Sequence, residues 1–197
     1  MSEPAPDIPP ELDDEPGLDD EPGLDAESRQ HAAGGLAIPQ GVTVVEGEAR
    51  GGRRAVGVVV SKFNGHFTGR MLTAALRELA RVGVPKEQVT VMPVPGAFEL
   101  PLAAIALART RRYACVVALG CVIRGETPHF DFVAGEAASG LQLAAIETGV
   151  PVSFGVLTVE NAEQAEARID KATEAVRSAL EMADVFAQLR TTTAAAG

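Results

Sequence analysis

The stretch RGETPHF, residues 124–130, holds a rare histidine behind glycine, threonine and proline. It follows the apolar run YACVVALGCVI and precedes a pattern of helical period, which puts Thr127 at a cap, Pro128 at the first helical position and His129 in the first turn. The backbone amides around Gly125 to Thr127 then form an anion site suited to a phosphate, at the positive end of the helix. The same dipole favours a neutral imidazole at His129, able to accept and return a proton. The plainer account, in which His129 only hydrogen-bonds its loop, weighs less because an anion site lies beside it. The spacing GCVIRGET imitates a P-loop, but Glu126 stands at the lysine position and repels nucleotide phosphates, which excludes a nucleoside triphosphatase. No G-x-G-x-x-G follows any strand, so dinucleotide binding is also excluded.

Other candidates follow from residue type. Phe63 and Phe98 come just after apolar runs and Phe154 lies within one, and any of them can stack on a planar ring, although each taken singly suits core packing better. Glu99 can accept hydrogen bonds from a polyol or a ring N–H, or stand as a surface carboxylate near a helix start. Arg168 reads equally as a phosphate clamp or a solvated side chain. His66 reads as an exposed loop residue. Cys115 and Cys121, in or beside one apolar run, read as reduced core residues, without the partners at finger-like spacing that zinc needs. There is no G-x-S-x-G elbow, and nothing marks Lys62, Lys86 or Lys171 as a buried Schiff-base lysine. Acid–base catalysis on a small phosphorylated substrate survives these exclusions.

The elements that must position these residues alternate along the chain. RAVGVVVSKFN reads as a strand and TGRMLTAALRELARVG as a helix with Met71, Leu72, Ala75, Leu76 and Leu79 on one face and Gly83 closing it. QVTVMPV precedes the helical PGAFELPLAAIALART, and YACVVALG precedes a helix from about Pro128 to Ile146. VPVSFGVLTV then leads into one long helix from Asn161, with a capping-box spacing at Asn161 and Gln164 and a stripe of Ala165, Ile169, Ala172, Val176 and Leu180. Strands of continuous Val, Ile and Leu call for helices on both faces of a parallel sheet, a three-layer α/β/α sandwich of four strands. Residues 42–47, VTVVEG, would add an edge strand or pair with another subunit. Ligands of such folds bind beyond the carboxyl ends of the strands.

Charge divides the chain. Of its 27 acids, 11 fall in residues 1–28, which contain no Lys or Arg, so the remaining 16 face all 17 bases. The tandem LDDEPG repeat in that tail has too little apolar surface to offset ordering, and residues 1–36 are expected to be disordered, 37–190 to form the domain and 191–197 to be a flexible end. The tail is too acidic for a transit peptide and lacks a secretory apolar segment, and no stretch reaches the length needed to span a bilayer. A cytoplasmic protein without membrane association is expected, and nucleic-acid binding, which needs a basic surface, is disfavoured by the acidic tail.

Four motifs in order, SKFNGHFTGRML, VPGAFELP, ALGCVIRGETPHFDFVAGEAASGL and PVSFGVLTVENAEQA, resemble the lumazine synthase family over about residues 40–186. The resemblance implies a flavodoxin-like fold and the condensation of 5-amino-6-(ribitylamino)uracil with 3,4-dihydroxy-2-butanone 4-phosphate to 6,7-dimethyl-8-ribityllumazine, without metal or redox cofactor. By the family pattern Phe63 stacks on the pyrimidine, and Ala97, Phe98 and Glu99 hold the ring and ribityl chain. Cys121, Val122 and Ile123 also meet the pyrimidine, while Glu126, Thr127 and Arg168 bind the phosphate and His129 transfers protons. Phe154 and Arg168 are implied to reach in from a neighbouring subunit of a homo-pentamer, alone or within an icosahedral shell. Lys171 and Glu174 correspond to the family's lysine and acidic pair only across a gap, because this chain is shorter there than many relatives. Two rivals are a catalytically silent shell protein whose acidic tail recruits basic cargo, and a flavin-binding module. A chain under no catalytic demand has no reason to hold Phe63, Glu99, His129 and Arg168 together, which favours the enzyme.

Overall fold

A computed structural model of the chain describes residues 36–195. The acidic tail expected to be disordered lies outside the described residues except for its last position, and so do His31 and residues 196–197. Residues 36–43 carry a single turn at 40–41 and no helix or strand.

From Val44 onward the alternation read from the sequence becomes a doubly wound sheet. Strands β1 (Val56–Ser61), β2 (Val89–Val94), β3 (Cys115–Ile123) and β4 (Val152–Val159) pair all-parallel in the order β2-β1-β3-β4. Five helices join and cover them: α1 (Gly65–Arg81), α2 (Leu100–Arg109), α3 (His129–Thr148), α4 (Ala162–Glu166) and α5 (Lys171–Ala195). Alternate residues of β3 face opposite layers. Cys115, Val117, Leu119 and Cys121 pack with Met71, Leu79, Val176 and Leu180 of α1 and α5. Val116 and Ala118 pack with Leu100 and Leu107 of α2 and Leu141 of α3. Both faces of the central strands are therefore dry, as their unbroken apolar sequence requires. β2 is the exception, largely exposed with Pro93 in it, as befits an edge strand.

Helix ends explain the chain's turns. Val82, Gly83 and Val84 close α1 in a Schellman arrangement, with Gly83 at φ 85°, its N–H on the Ala80 carbonyl at 3.1 Å, and the Val84 N–H on that of Leu79 at 2.9 Å. The buried face of α1 comprises Thr68, Met71, Ala75, Glu78 and Leu79, so Leu76, expected on it, is exposed instead. The residue that replaces it is a carboxylate, Glu78, only 5% exposed and held by Arg81 (2.6 and 2.7 Å) and by Arg177 of α5 (2.6 Å). The Arg81 hydrogen bonds, joined by those of Arg177, hold its carboxyl down at about 2 against the cost of burial. A carboxylate depressed in the folded state stabilises above its unfolded value and ceases to do so as pH falls toward its folded one. Glu78→Gln is therefore expected to cost about 1–3 kcal/mol at neutral pH. It should also flatten the loss of stability between about pH 4.5 and pH 2, which urea unfolding at a series of pH values will reveal.

Two expectations are corrected. Within one chain the segment 42–47 adds no strand to the sheet, which excludes the edge strand and leaves the other expectation, pairing with another subunit. The backbone here is engaged along α5, where Gln188 donates to the Glu46 carbonyl at 2.8 Å and the Glu48 N–H donates to Asp184 at 3.2 Å. The long helix from Asn161 is two helices, α4 and α5, separated by a turn at 167–170. The Asn161 side chain does cap, accepting from the Gln164 N–H at 2.9 Å, while the Gln164 side chain receives the Glu160 N–H rather than that of Asn161. After Glu166 the bonds tighten to i→i−3, Arg168 to Ala165, Lys171 to Arg168 and Ala172 to Ile169, which redirects the axis. α5 continues to Ala195, through most of the stretch expected to be a flexible end. Among the described residues no helix is long and apolar enough to cross a membrane.

Candidate active site at the switch point of the sheet

Strand order reverses between β1 and β3, the position at whose carboxyl ends open α/β sheets bind their ligands. Three connections meet there. The Lys62 and Phe63 N–H groups extend the pairing to β2 through the Val94 and Pro95 carbonyls at 2.8 and 3.0 Å. Asn64 adopts a left-handed conformation (φ 55°) that turns the chain into α1, and its side-chain amide donates to the Cys121 carbonyl at 2.9 Å. This bond ties the end of β1 to the end of β3. It leaves Phe63 two-thirds exposed beside this junction.

On the β2 side, residues 97–99 form a single 3₁₀ turn leading into α2. Glu99 closes it by accepting the Gly96 N–H at 2.8 Å through one carboxylate oxygen, which anchors the side chain while Phe98 stays exposed and Ala97 is buried. On the β3 side, Val122 and Ile123 are half-buried and residues 124–129 are exposed. Among the described residues the backbone N–H groups of Gly125, Glu126 and Thr127 donate to no protein acceptor, as an anion site requires.

Thr127 does not cap α3, contrary to expectation; Pro128 occupies the cap position, with no side-chain cap bond, and its carbonyl accepts the Asp131 N–H at 3.0 Å. Arg124 does the anchoring. Its guanidinium spans Asp131 in the first turn of α3 (2.9 Å) and Glu160 after β4 (3.0 Å), and lies 4.1 Å over the Phe130 ring. The hydrogen bonds from Arg124 hold the Asp131 carboxyl below the usual range, and Asp131 with Glu160 keeps the guanidinium charged. His129, exposed in the first turn between these partners, projects from a pinned backbone.

Cys121 of β3 is 2% exposed, burial pushes its thiol up to about 11, and its carbonyl is engaged by Asn64. Cys115 is likewise buried and pushed up to about 12, so neither sulfur is a nucleophile near neutral pH. Phe154 and Arg168 belong to other parts of the fold, β4 and the turn after α4. Phe154 pairs with Ala118, three residues before Cys121 in register, on the outer edge of the edge strand β4, and is 46% exposed. Arg168 lies in the turn after α4, and its guanidinium donates to the Gln164 carbonyl at 3.1 Å. Asn64 and Arg124 fasten the loops after β1 and β3; both stand in the loops at strand ends, where ligands of such sheets bind, but the sequence assigns neither of them its partners. Among the described residues no three His, Cys, Asp or Glu side chains gather as a metal site.

The all-parallel sheet in the order β2-β1-β3-β4, with helices on both faces, defines a flavodoxin-like α/β protein. The chain belongs to the 6,7-dimethyl-8-ribityllumazine synthase family, whose model matches residues 53–187.

Proposed function

We propose that this protein condenses 5-amino-6-(ribitylamino)uracil with 3,4-dihydroxy-2-butanone 4-phosphate, giving 6,7-dimethyl-8-ribityllumazine, inorganic phosphate and water. The observation that carries the reading is the meeting of free amides at 125–127, an exposed His129 and the exposed ring of Phe63 at one switch point, inside the matched residues. In this reading Phe63 stacks on the pyrimidine, Ala97, Phe98 and Glu99 hold the ring and ribityl chain, and Cys121, Val122 and Ile123 border the pyrimidine, Cys121 through its backbone. Glu126 and Thr127 take the phosphate through their backbone N–H groups. The amine attacks the ketone and water leaves, phosphate is expelled, and the second amine closes the ring on the remaining carbonyl with loss of a second water; each step moves protons, and His129 accepts and returns them. Orientation of two bound reactants supplies much of the acceleration. Such chemistry asks for no redox cofactor or metal.

The site is completed in a homo-oligomer, with Phe154 and Arg168 serving a neighbouring copy. Support comes from the place of Phe154 on the edge strand β4, opposite Ala118, and from Leu102, Phe132, Leu143 and Ile146, large apolar side chains that α2 and α3 leave 52–74% exposed. Incubation of the purified protein with both substrates and detection of lumazine fluorescence tests the activity; an absence of product at high protein concentration would refute it. With activity in hand, Arg168→Ala is expected to raise KM for the phosphorylated ketone about tenfold, with a smaller change for the uracil substrate, as steady-state kinetics varying each in turn will show.

A further inference from the structure

The opposite end of the sheet carries a second, differently built cleft. Arg53 and Arg54 lead into β1, Arg111 and Arg112 turn from α2 into β3, and Arg190 comes from the end of α5. The Ala114 N–H bonds the Ala55 carbonyl at 2.8 Å, which fixes the two arginine pairs side by side. The five guanidinium-bearing residues and Tyr113 line a cleft of about 490 Å³, with no carboxylate among the described residues of its wall. β1 is six residues long, which sets this cleft roughly 20 Å from the switch point.

Arg54 is paired with Asp184. Among the described residues Arg53, Arg111, Arg112 and Arg190 have no ion-pair partner. Four like charges gathered around one concavity repel one another, and an anion that entered would relieve that repulsion while meeting donors in fork geometry. The folded part of the chain is nearly balanced in charge, so this concentration is local.

The sequence supplies a matching anion. Residues 12–25, LDDEPGLDDEPGLD, carry seven carboxylates and no base, and nothing in the proposed catalysis uses them. We propose that the arginine cleft is a receptor for an acidic peptide, and that its occupant is this repeat as carried by a second copy of the chain. Paired Asp side chains match the planar, bidentate preference of guanidinium, and the alternation of acidic triplets with Pro-Gly lets successive triplets be presented without burying apolar surface. The contact is electrostatic, so it links copies at low ionic strength and weakens as salt rises.

The test is fluorescence anisotropy with a labelled synthetic peptide of residues 12–25 titrated with the full chain. Saturable binding is expected, weaker by about tenfold or more between 50 and 300 mM salt and in the R53Q/R111Q/R112Q/R190Q variant. A peptide with Asn and Gln in place of the acids should not bind. The fold of the variant is checked by its thermal midpoint and by lumazine formation, which removing distant exposed arginines should leave unchanged. Should the fourfold variant fold poorly, the R111Q/R112Q pair, both in one exposed turn, is measured in its place. Equal affinity for wild type and the folded variant, binding of the neutral peptide, or displacement by tripolyphosphate of a cleft that ignores the peptide would each overturn the proposal.

Discussion

Replacing His129 by Ala is expected to lower kcat about a hundredfold while leaving both KM values within a few-fold of wild type. A factor of that size is about 2.7 kcal/mol of transition-state stabilisation, the usual contribution of one positioned acid–base group. The imidazole is exposed, without a protein partner among the described residues, in a helical turn that Arg124 clamps through Asp131 and Glu160. The side chain therefore carries no structural load, and truncation removes a proton carrier without disturbing its backbone. Turnover should persist at the lower rate because the amides of 125–127 and the ring of Phe63 still orient the two substrates. Added imidazole should restore part of the rate, a readout that a merely structural histidine would not give. Steady-state kinetics of the variant with and without imidazole measure both effects; a kcat within twofold of wild type would refute the role.

The parts of this fold that were legible in the sequence are those governed by a repeating local rule. Strands buried on both faces read as unbroken Val and Leu, and Gly83 marked the end of α1 because only a residue tolerant of positive φ closes that turn easily. The break between α4 and α5 was hidden for an equally physical reason. Ala165, Ile169, Ala172, Val176 and Leu180 are all buried in one core as a helical stripe predicts, and a turn made of i→i−3 bonds redirects the axis without Gly or Pro and without changing which side chains face inward. At the site, the loops after β1, β2 and β3 could be named from strand ends alone. Their fastening could not, because Asn64 to Cys121 and Arg124 to Glu160 join residues 57 and 36 positions apart, and periodicity carries no information about such pairs.

Gly155→Val is expected to destabilise the fold by about 3 kcal/mol, the largest loss anticipated for a single substitution outside the candidate site. Two effects oppose each other here. Glycine inside a strand is itself costly, and a β-branched residue in its place should recover about 0.5–1 kcal/mol of backbone entropy and strand preference. Gly155 lies in β4 opposite Leu119 of β3, however, and points toward α5. A Cβ built there falls 2.7 Å from the Ala118 carbonyl oxygen, 2.9 Å from a Leu119 methyl and 3.1 Å from the Ala175 Cβ. The first of these neighbours is backbone in the centre of the sheet and the last sits on a helix packed flat against it, so neither can turn aside as a side-chain tip would. Even one carbon requires β4 or α5 to move, and the two further methyls of valine enlarge the displacement, so overpacking outweighs the propensity gain. The strain falls on the strand that carries Phe154, one residue away, and a shift of β4 would also disturb the Glu160 end of the Arg124 clamp. Urea unfolding should therefore show a lowered midpoint with an unchanged slope, and the residual folded protein should lose more activity than its folded fraction explains. An unaltered midpoint would mean that α5 rides freely over β4, and that the close approach permitted by Gly155 is not what holds this edge of the sheet.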